Sequence, residues 1–220
     1  MPCAVRTARL AADQRGSVLR MPGAARRKTM SQSRILAATS AILATGEHYA
    51  DIPVERILEA ADVSRSTFYQ WFPDKTALIL QLTTPLLEEF VAAADRYWKH
   101  PSQAQPETLT DVIAELFGSA RRYRVIWRAY LETTSTDARF GDSFRRGLQN
   151  YMADIADRIR TEQAAGLVSA DIKPDQTARF IVVGMQAGFS DIMQLDDDTD
   201  DRAFAAAMAR SIWLTMYGGR

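Results

Sequence analysis

Residues 62–79 read DVSRSTFYQWFPDKTALI, and this stretch decides how the chain is interpreted. Ser64 can cap a short third helix from Arg65 to Phe72, Pro73 ends that helix, and Asp74 can cap a fourth. A helix of about two turns is unstable alone, so tertiary packing must hold this one in place. The sequence therefore predicts a short helix that is built into a larger helical unit.

This short helix has an apolar side and a polar side. Val63, Phe68 and Phe72 can anchor the apolar side, which leaves a set of polar side chains facing outward: Arg65, Ser66, Thr67, Tyr69 and Gln70. The major groove of DNA admits a narrow rigid rod that carries donors and acceptors at its tips. Arg65 is long enough to reach a guanine edge, whereas the hydroxyl groups beside it can contact phosphates.

The end of the short helix carries further candidates for DNA contact. Lys75 adds a positive charge at the start of the next helix, where backbone N–H groups also favour an anion, so a phosphate contact is expected. Trp71 and Tyr69 have two interpretations. Each could contact the DNA backbone, or each could pack between the third and fourth helices.

Two helices are predicted before the short one. From Ser31, an expected N-cap, apolar residues follow a helical period up to Gly46, and Pro53 begins a second helix whose apolar residues lie at i, i+3, i+4 and i+7. Asp62 and Val63 then form a tight turn. Three short helices with a sharp turn between the second and third predict a helix-turn-helix.

The rest of the chain is also predicted to be helical. A fourth helix spans about residues 74–99 and is expected to bend at Pro85, and a loop over residues 100–107 precedes five further helical patterns: about 107–119, 122–133, 140–165, 174–194 and 200–217. We therefore expect an all-α protein of about nine helices. Its expected domains are a flexible basic arm (1–30), a helix-turn-helix domain (31–76) and a helical ligand-binding and dimerisation domain (77–220).

The net charge of zero conceals an uneven distribution. Residues 1–34 carry eight arginine and lysine residues against one aspartate, a net charge of +7, whereas residues 83–220 sum to −4. The basic end suggests a nucleic-acid contact, in which Arg34 is expected to take part. A solvated basic tail without a partner is the alternative interpretation.

The run SRSTFYQWFPDKTALI resembles the signature of the TetR family of transcriptional regulators. The resemblance implies that Arg65, Ser66, Thr67 and Gln70 face bases or the groove, and that Tyr69 and Lys75 contact the DNA backbone. Three positions depart from the family pattern. Asp62 stands at the usual turn glycine, Trp71 at a usual Tyr or His, and Pro53 at a usual Ser or Thr cap.

The C-terminal residues IWLTMYGG (212–219) and the run FGS (117–119) are similar to an EthR-type branch of that family, whose members bind a hydrophobic ligand. This resemblance implies a small hydrophobic effector that releases a repressor from DNA. The expected ligand-binding residues are Phe117, Trp127, Phe144, Leu148, Tyr151, Ile181, Met185 and Trp213. The family also forms homodimers through its last two helices, and Gly184 and Gly188 would allow close helix approach there.

A dimer of such small DNA-binding domains implies a palindromic double-stranded operator.

Other classes of protein are less consistent with the sequence. His48 and His100 are the only histidines, with no zinc-binding spacing beside them, and no phosphate-binding glycine loop occurs. The acidic run at 196–201 lacks the glycine and glutamate of a calcium loop, so a solvated helix cap is expected there.

We therefore expect no catalysis, no metal and no cofactor. Cys3, the sole cysteine, fits the reducing cytoplasm, and no apolar run approaches membrane-spanning length. A non-catalytic helical interaction module with a basic arm remains the alternative to a regulator.

Overall fold

The computed structural model describes residues 23–98, 105–195 and 197–218. Nine α-helices and one 3-10 helix occur in this part of the chain, and no strand occurs in it. The all-α prediction is therefore confirmed. The elements are α1 (Gly23–Ala44), a 3-10 helix (Tyr49–Asp51), α2 (Val54–Ala61), α3 (Arg65–Trp71), α4 (Lys75–Trp98), α5 (Pro106–Arg122), α6 (Arg124–Thr136), α7 (Ala138–Ala164), α8 (Pro174–Gln194) and α9 (Asp201–Tyr217).

The start of α1 differs from the prediction. The helix begins at Gly23, so Ser31 lies inside it rather than at its N-cap. Alanine, arginine and lysine dominate residues 24–28, and these strong helix formers extend the helix into the segment expected to be an arm. The remainder of the predicted arm, residues 1–22 with Cys3, lies outside the described residues.

The predicted turn and caps around α3 are confirmed. Asp62 follows α2 in the left-handed conformation, with φ 47° and ψ 57°. The Ser64 hydroxyl accepts a hydrogen bond from the Thr67 backbone N–H at 3.2 Å, and the Asp74 carboxylate accepts one from the Ala77 N–H at 2.7 Å. Helix α4 continues through Pro85.

The chain divides into two compact units. The N-terminal unit comprises described residues 23–87 together with Tyr123–Phe144, and the C-terminal unit comprises the remaining described residues. This division does not coincide with the expected boundary after residue 76. The reason is that α6 and the start of α7 supply core residues to the helix-turn-helix side.

The core of the N-terminal unit joins residues far apart in sequence. Ile35, Ile57, Phe68 and Leu78 are fully buried in it, and α6 and α7 contribute Ala129, Tyr130 and Phe140. Tyr130 contacts the rings of Trp127 and Phe144 in the same unit, with centroids 5.3 and 5.7 Å away. This core fixes α3 at the surface of the unit.

The C-terminal unit has a core of its own, in which α5 packs against α8 and α9. Phe117 is fully buried and contacts the rings of Phe189 and Phe204. A Cβ at Gly188 would lie 2.8 Å from Met208 Sδ, whereas a Cβ at Gly184 would have no neighbour within 4 Å. Gly188 therefore allows α8 and α9 of one chain to approach closely.

By length and composition, the Lys75–Ala93 part of α4 could cross a membrane, and it is the one such helix in the described part of the chain. Its Leu78, Ile79 and Leu82 side chains are buried in the N-terminal core. Burial of this kind is typical of a core helix in a folded protein.

Candidate functional site

Helix α3 is held by two phenylalanines and presents polar side chains. Phe68 and Phe72 are 0% and 2% exposed, so they anchor the helix as predicted. The opposite side of the helix carries four exposed residues, Arg65, Ser66, Tyr69 and Gln70, and one half-buried residue, Thr67. A short rigid helix with exposed polar side chains is narrow enough to enter a major groove.

The hydroxyl groups at the start of α3 form a small network. Ser64 Oγ lies 2.9 Å from Ser66 Oγ and 2.8 Å from Thr67 Oγ1, in addition to capping the helix. These contacts fix the rotamers of short side chains that would otherwise rotate. The structure therefore presents Ser66 and Thr67 as an ordered pair of donors and acceptors.

Arg65 is bound on two sides by residues of the N-terminal unit. Its Nη1 donates a hydrogen bond to Glu55 Oε1 of α2 at 2.6 Å, and its guanidinium carbon lies 5.7 Å from the centroid of the Tyr69 ring. Both charged side chains remain largely exposed, at 64% for Arg65 and 59% for Glu55. Glu55 was not a predicted site residue, because the contact depends on how α2 packs against α3.

Arg34 supports the turn between α2 and α3. Its Nη2 donates to the Asp62 backbone carbonyl at 2.7 Å and to Asp62 Oδ2 at 2.6 Å. The left-handed backbone that a glycine would adopt without cost is thus held by an arginine from α1. Arg34 is 46% exposed, which leaves room for a further contact from the same side chain.

Lys75 lies in a different environment from the one expected of a phosphate contact. Its Nζ donates to the backbone carbonyls of Tyr49, Ala50 and Ile52 at 2.6, 3.1 and 2.7 Å, and Tyr49 Oη donates to the Lys75 carbonyl at 2.7 Å. Burial lowers the pKa of Lys75. The ammonium group therefore ties the 3-10 helix to the start of α4.

Helix α6 reinforces the same region. Glu132 accepts hydrogen bonds from the Tyr49 N–H at 2.9 Å and pairs with His48 Nδ1 at 2.8 Å, while Asp137 accepts one from Thr76 Oγ1 at 2.9 Å. A cleft of about 160 Å³ lies among these residues.

The hydrogen bonds to Glu132 and Asp137 connect positions more than 60 residues apart, so the sequence pattern alone could not reveal these contacts. Trp71 is half-buried and packs against the N-terminal core.

The expected ligand-binding residues are distributed over both units. Phe117 and Ile181 are buried in the C-terminal core, and Leu148, Tyr151 and Met185 pack against that core. Trp127 and Phe144 pack against the N-terminal core, and Trp213 of α9 lies 5.8 Å from the Tyr217 ring. The structure thus brings five of the eight residues to one apolar core.

The C-terminal core also contains a buried carboxylate. Glu162 is 3% exposed and accepts hydrogen bonds from Arg158 Nε at 2.6 Å and Tyr217 Oη at 2.7 Å. Burial is the main cause that raises the pKa of Tyr217, and its bond to Glu162 adds to the effect. This group is fully hydrogen-bonded on both oxygens, as a buried charge requires.

The described aspartates before α9, Asp197, Asp198 and Asp200, are exposed, as expected of a solvated run, whereas Asp201 in the first turn of α9 is not. Asp201 is 16% exposed in its side chain and is bound by both Nε and Nη2 of Arg121. Arg121 also donates to the carbonyls of Leu195 and Asp197. No group of three or more His, Cys, Asp and Glu side chains in the described residues could hold a metal ion.

Relatives of the chain were found by sequence and by structure, although no family model matches it. The chain is 29% identical over 136 residues to the HTH-type transcriptional regulator EthR of Mycobacterium tuberculosis H37Rv, a match that covers 57% of this chain and 62% of that protein. It is 27% identical over 135 residues to EthR of Mycolicibacterium smegmatis, with 61% and 62% covered. The match therefore spans less than two thirds of these relatives.

Solved structures show the same fold at low sequence identity. The regulatory protein TetR from Rhodobacter sphaeroides matches with a TM-score of 0.60 and 20% identity, covering 85% of this chain and 99% of that one. NalD of Pseudomonas aeruginosa, described as the secondary repressor of a multidrug efflux pump, matches with a TM-score of 0.59 and 15% identity, covering 86% and 98%.

These relatives are transcriptional regulators, in agreement with the expectation that the chain is not an enzyme. The helix-turn-helix predicted within residues 31–76 is present, and it is followed by a helical C-terminal unit, as in the matched structures. The chain thus resembles the transcriptional regulator EthR in sequence and shares the fold of solved TetR-family regulators.

Proposed function

We propose that the chain is a cytoplasmic, ligand-responsive repressor that binds a palindromic operator in double-stranded DNA as a homodimer. The observation that carries this proposal is α3, a two-turn helix whose buried phenylalanines present an ordered polar surface. Any surface helix exposes polar side chains to water, but here the Ser64 hydroxyl and the Glu55 carboxylate also hold several of them in place. A helix that enters the major groove requires them.

The proposed DNA contacts fall into two groups. Arg65 and Gln70 are suited to base edges, because arginine binds guanine and glutamine binds adenine through paired hydrogen bonds. Ser66 and Thr67 lie beside them on the groove-facing side. The residues proposed to contact the DNA backbone are Tyr69, Trp71 and Arg34, whereas Lys75, whose ammonium donates to three carbonyls, is proposed to support them structurally.

Exposed apolar side chains on the last two helices support the proposed dimer. Phe180 and Val183 of α8 are 58% and 50% exposed, and Leu214 of α9 is 45% exposed. Large apolar side chains at such exposure favour a protein partner over water. A second copy of the chain would cover them through an isologous interface. The two helix-turn-helix units of the dimer, on one face of B-DNA, would then bind half-sites about 34 Å apart.

The C-terminal unit is the proposed sensor. Its core is rich in aromatic and aliphatic side chains, and Phe90, Phe117 and Phe189 form a continuous contact. An apolar core of this kind suits a small hydrophobic effector. The effector would lower DNA affinity by binding more tightly to the conformation that does not fit the operator. Trp213 remains a proposed contact of this ligand, with the five residues of the C-terminal core, whereas Trp127 and Phe144 pack against the core of the N-terminal unit.

Selection of duplexes from a random DNA pool by the purified full chain tests this proposal. We expect a palindrome to be enriched at about 150 mM salt, and affinity for it to fall steeply as salt rises. A helical interaction module with a basic arm would instead enrich no palindrome and would show a shallow salt dependence. Enrichment of no sequence would contradict the proposed function.

A further inference from the structure

We infer that Glu55 is a specificity-determining residue that positions Arg65 for base recognition. This inference rests on the proposed DNA-binding function and extends it to a residue of α2. Glu55 lies in the first turn of α2, and its Oε1 accepts the Arg65 Nη1 hydrogen at 2.6 Å. Tyr69, one turn along α3, places its ring 5.7 Å from the same guanidinium. The two contacts hold the guanidinium between a carboxylate and an aromatic face.

An arginine that reads guanine must present two parallel donors in a fixed plane. A long exposed side chain samples many rotamers, and ordering it on binding weakens the interaction. The Glu55 bond uses one of the five guanidinium N–H donors, so enough donors remain for a paired contact with a base. The free protein therefore already restricts Arg65, and less ordering is needed when DNA arrives.

The charge of Glu55 has a second effect, which acts on every DNA sequence. A carboxylate that is 59% exposed beside the reading helix repels phosphates, and it partly neutralises Arg65. Non-specific binding is almost entirely electrostatic, so Glu55 lowers it. Specific binding loses the same electrostatic contribution but gains from the positioned guanidinium. Glu55 thus increases the ratio of specific to non-specific affinity at the expense of total affinity.

The test compares Glu55→Gln with Glu59→Gln in the full chain. Glu59 is an exposed carboxylate one turn further along α2, so its substitution removes the same charge from the same helix. Affinity is measured for the selected operator, for the operator with one guanine pair replaced, and for an unrelated duplex. Thermal unfolding of each variant confirms that the fold is retained.

We expect Glu55→Gln to bind the unrelated duplex about 2- to 5-fold more tightly and to reduce discrimination at the Arg65-dependent guanine by about 3- to 10-fold. Glu59→Gln should keep that discrimination. In an Arg65→Ala background, Glu55→Gln should change discrimination no further, because the positioned group is already absent.

Two results would overturn the inference while leaving the proposed function intact. One is an operator preference that Glu55→Gln leaves unchanged. The other is a loss of preference at a different base pair from the one lost in Arg65→Ala, which would show that Glu55 reads a base itself. A wild-type chain that selects no sequence would overturn the proposed function together with the inference.

Discussion

Replacement of Lys75 by methionine separates a structural role from a DNA contact. Methionine keeps most of the apolar length but removes the ammonium that donates to three carbonyls at 2.6, 2.7 and 3.1 Å. A hydrogen bond to a charged group contributes about 1.5–3 kcal/mol, but the three share one donor group and the Ala50 carbonyl is exposed. Removing the charge also removes the cost of burying it.

We therefore expect Lys75→Met to lower the free energy of unfolding by about 2 kcal/mol, and the melting temperature by about 4–8 °C. Circular dichroism measures the melting temperature, and operator affinity is measured at two salt concentrations. Lys173→Met, at the exposed N-cap of α8, is the control for loss of one positive charge. A Lys75→Met variant that melts like the wild type but binds every duplex more weakly, with a salt slope lower by about 1, would contradict the structural role and make Lys75 a phosphate contact.

Substitutions test three further features: the proposed dimer interface, the buried Tyr130 and the turn at Asp62. Phe180→Asp should convert the proposed dimer to a monomer in analytical ultracentrifugation, whereas Leu131→Asp, at a residue 39% exposed on α6, should not. Equal behaviour of the two variants would contradict an interface that includes Phe180. Burial raises the pKa of Tyr130 to about 12, so folded-state stability should fall as pH rises from 10 through 12. Tyr130→Phe should reduce this loss of stability at high pH by about 2 kcal/mol, as measured by urea unfolding. If the loss is the same in the variant, Tyr130 is not the group that causes it. Asp62→Ala should destabilise the chain by about 1 kcal/mol and Asp62→Gly by much less, because only glycine adopts φ 47° without strain; equal effects would contradict this.

Local sequence chemistry predicted α3 and its surroundings well. Ser64 and Asp74 cap the helices that follow them, and Phe68 and Phe72 are buried because their spacing places them on one side of a short helix. Interactions of this kind involve residues within about one turn of each other. They can therefore be inferred from the order of residues alone.

The partners of the charged side chains could not be predicted in the same way. Lys75 was expected at a phosphate because helix starts attract anions, but the carbonyls that it binds come from residues 49–52. The Glu55–Arg65 and Glu132–His48 contacts likewise depend on the angle at which helices pack. The sequence shows which residues are charged, but the group that each charged side chain contacts depends on the tertiary structure.

The participation of α6 in the N-terminal unit has a consequence for protein engineering. Tyr130 and Phe140 complete the core beneath the helix-turn-helix, and Glu132 holds the loop before α2. A chimera that transfers only residues 31–76 onto another regulator would leave this core incomplete. A chimeric regulator that is to recognise this chain's operator must therefore also contain Tyr123–Phe144 as a second insert. The transferred DNA-binding unit would then retain the core residues on which its fold depends.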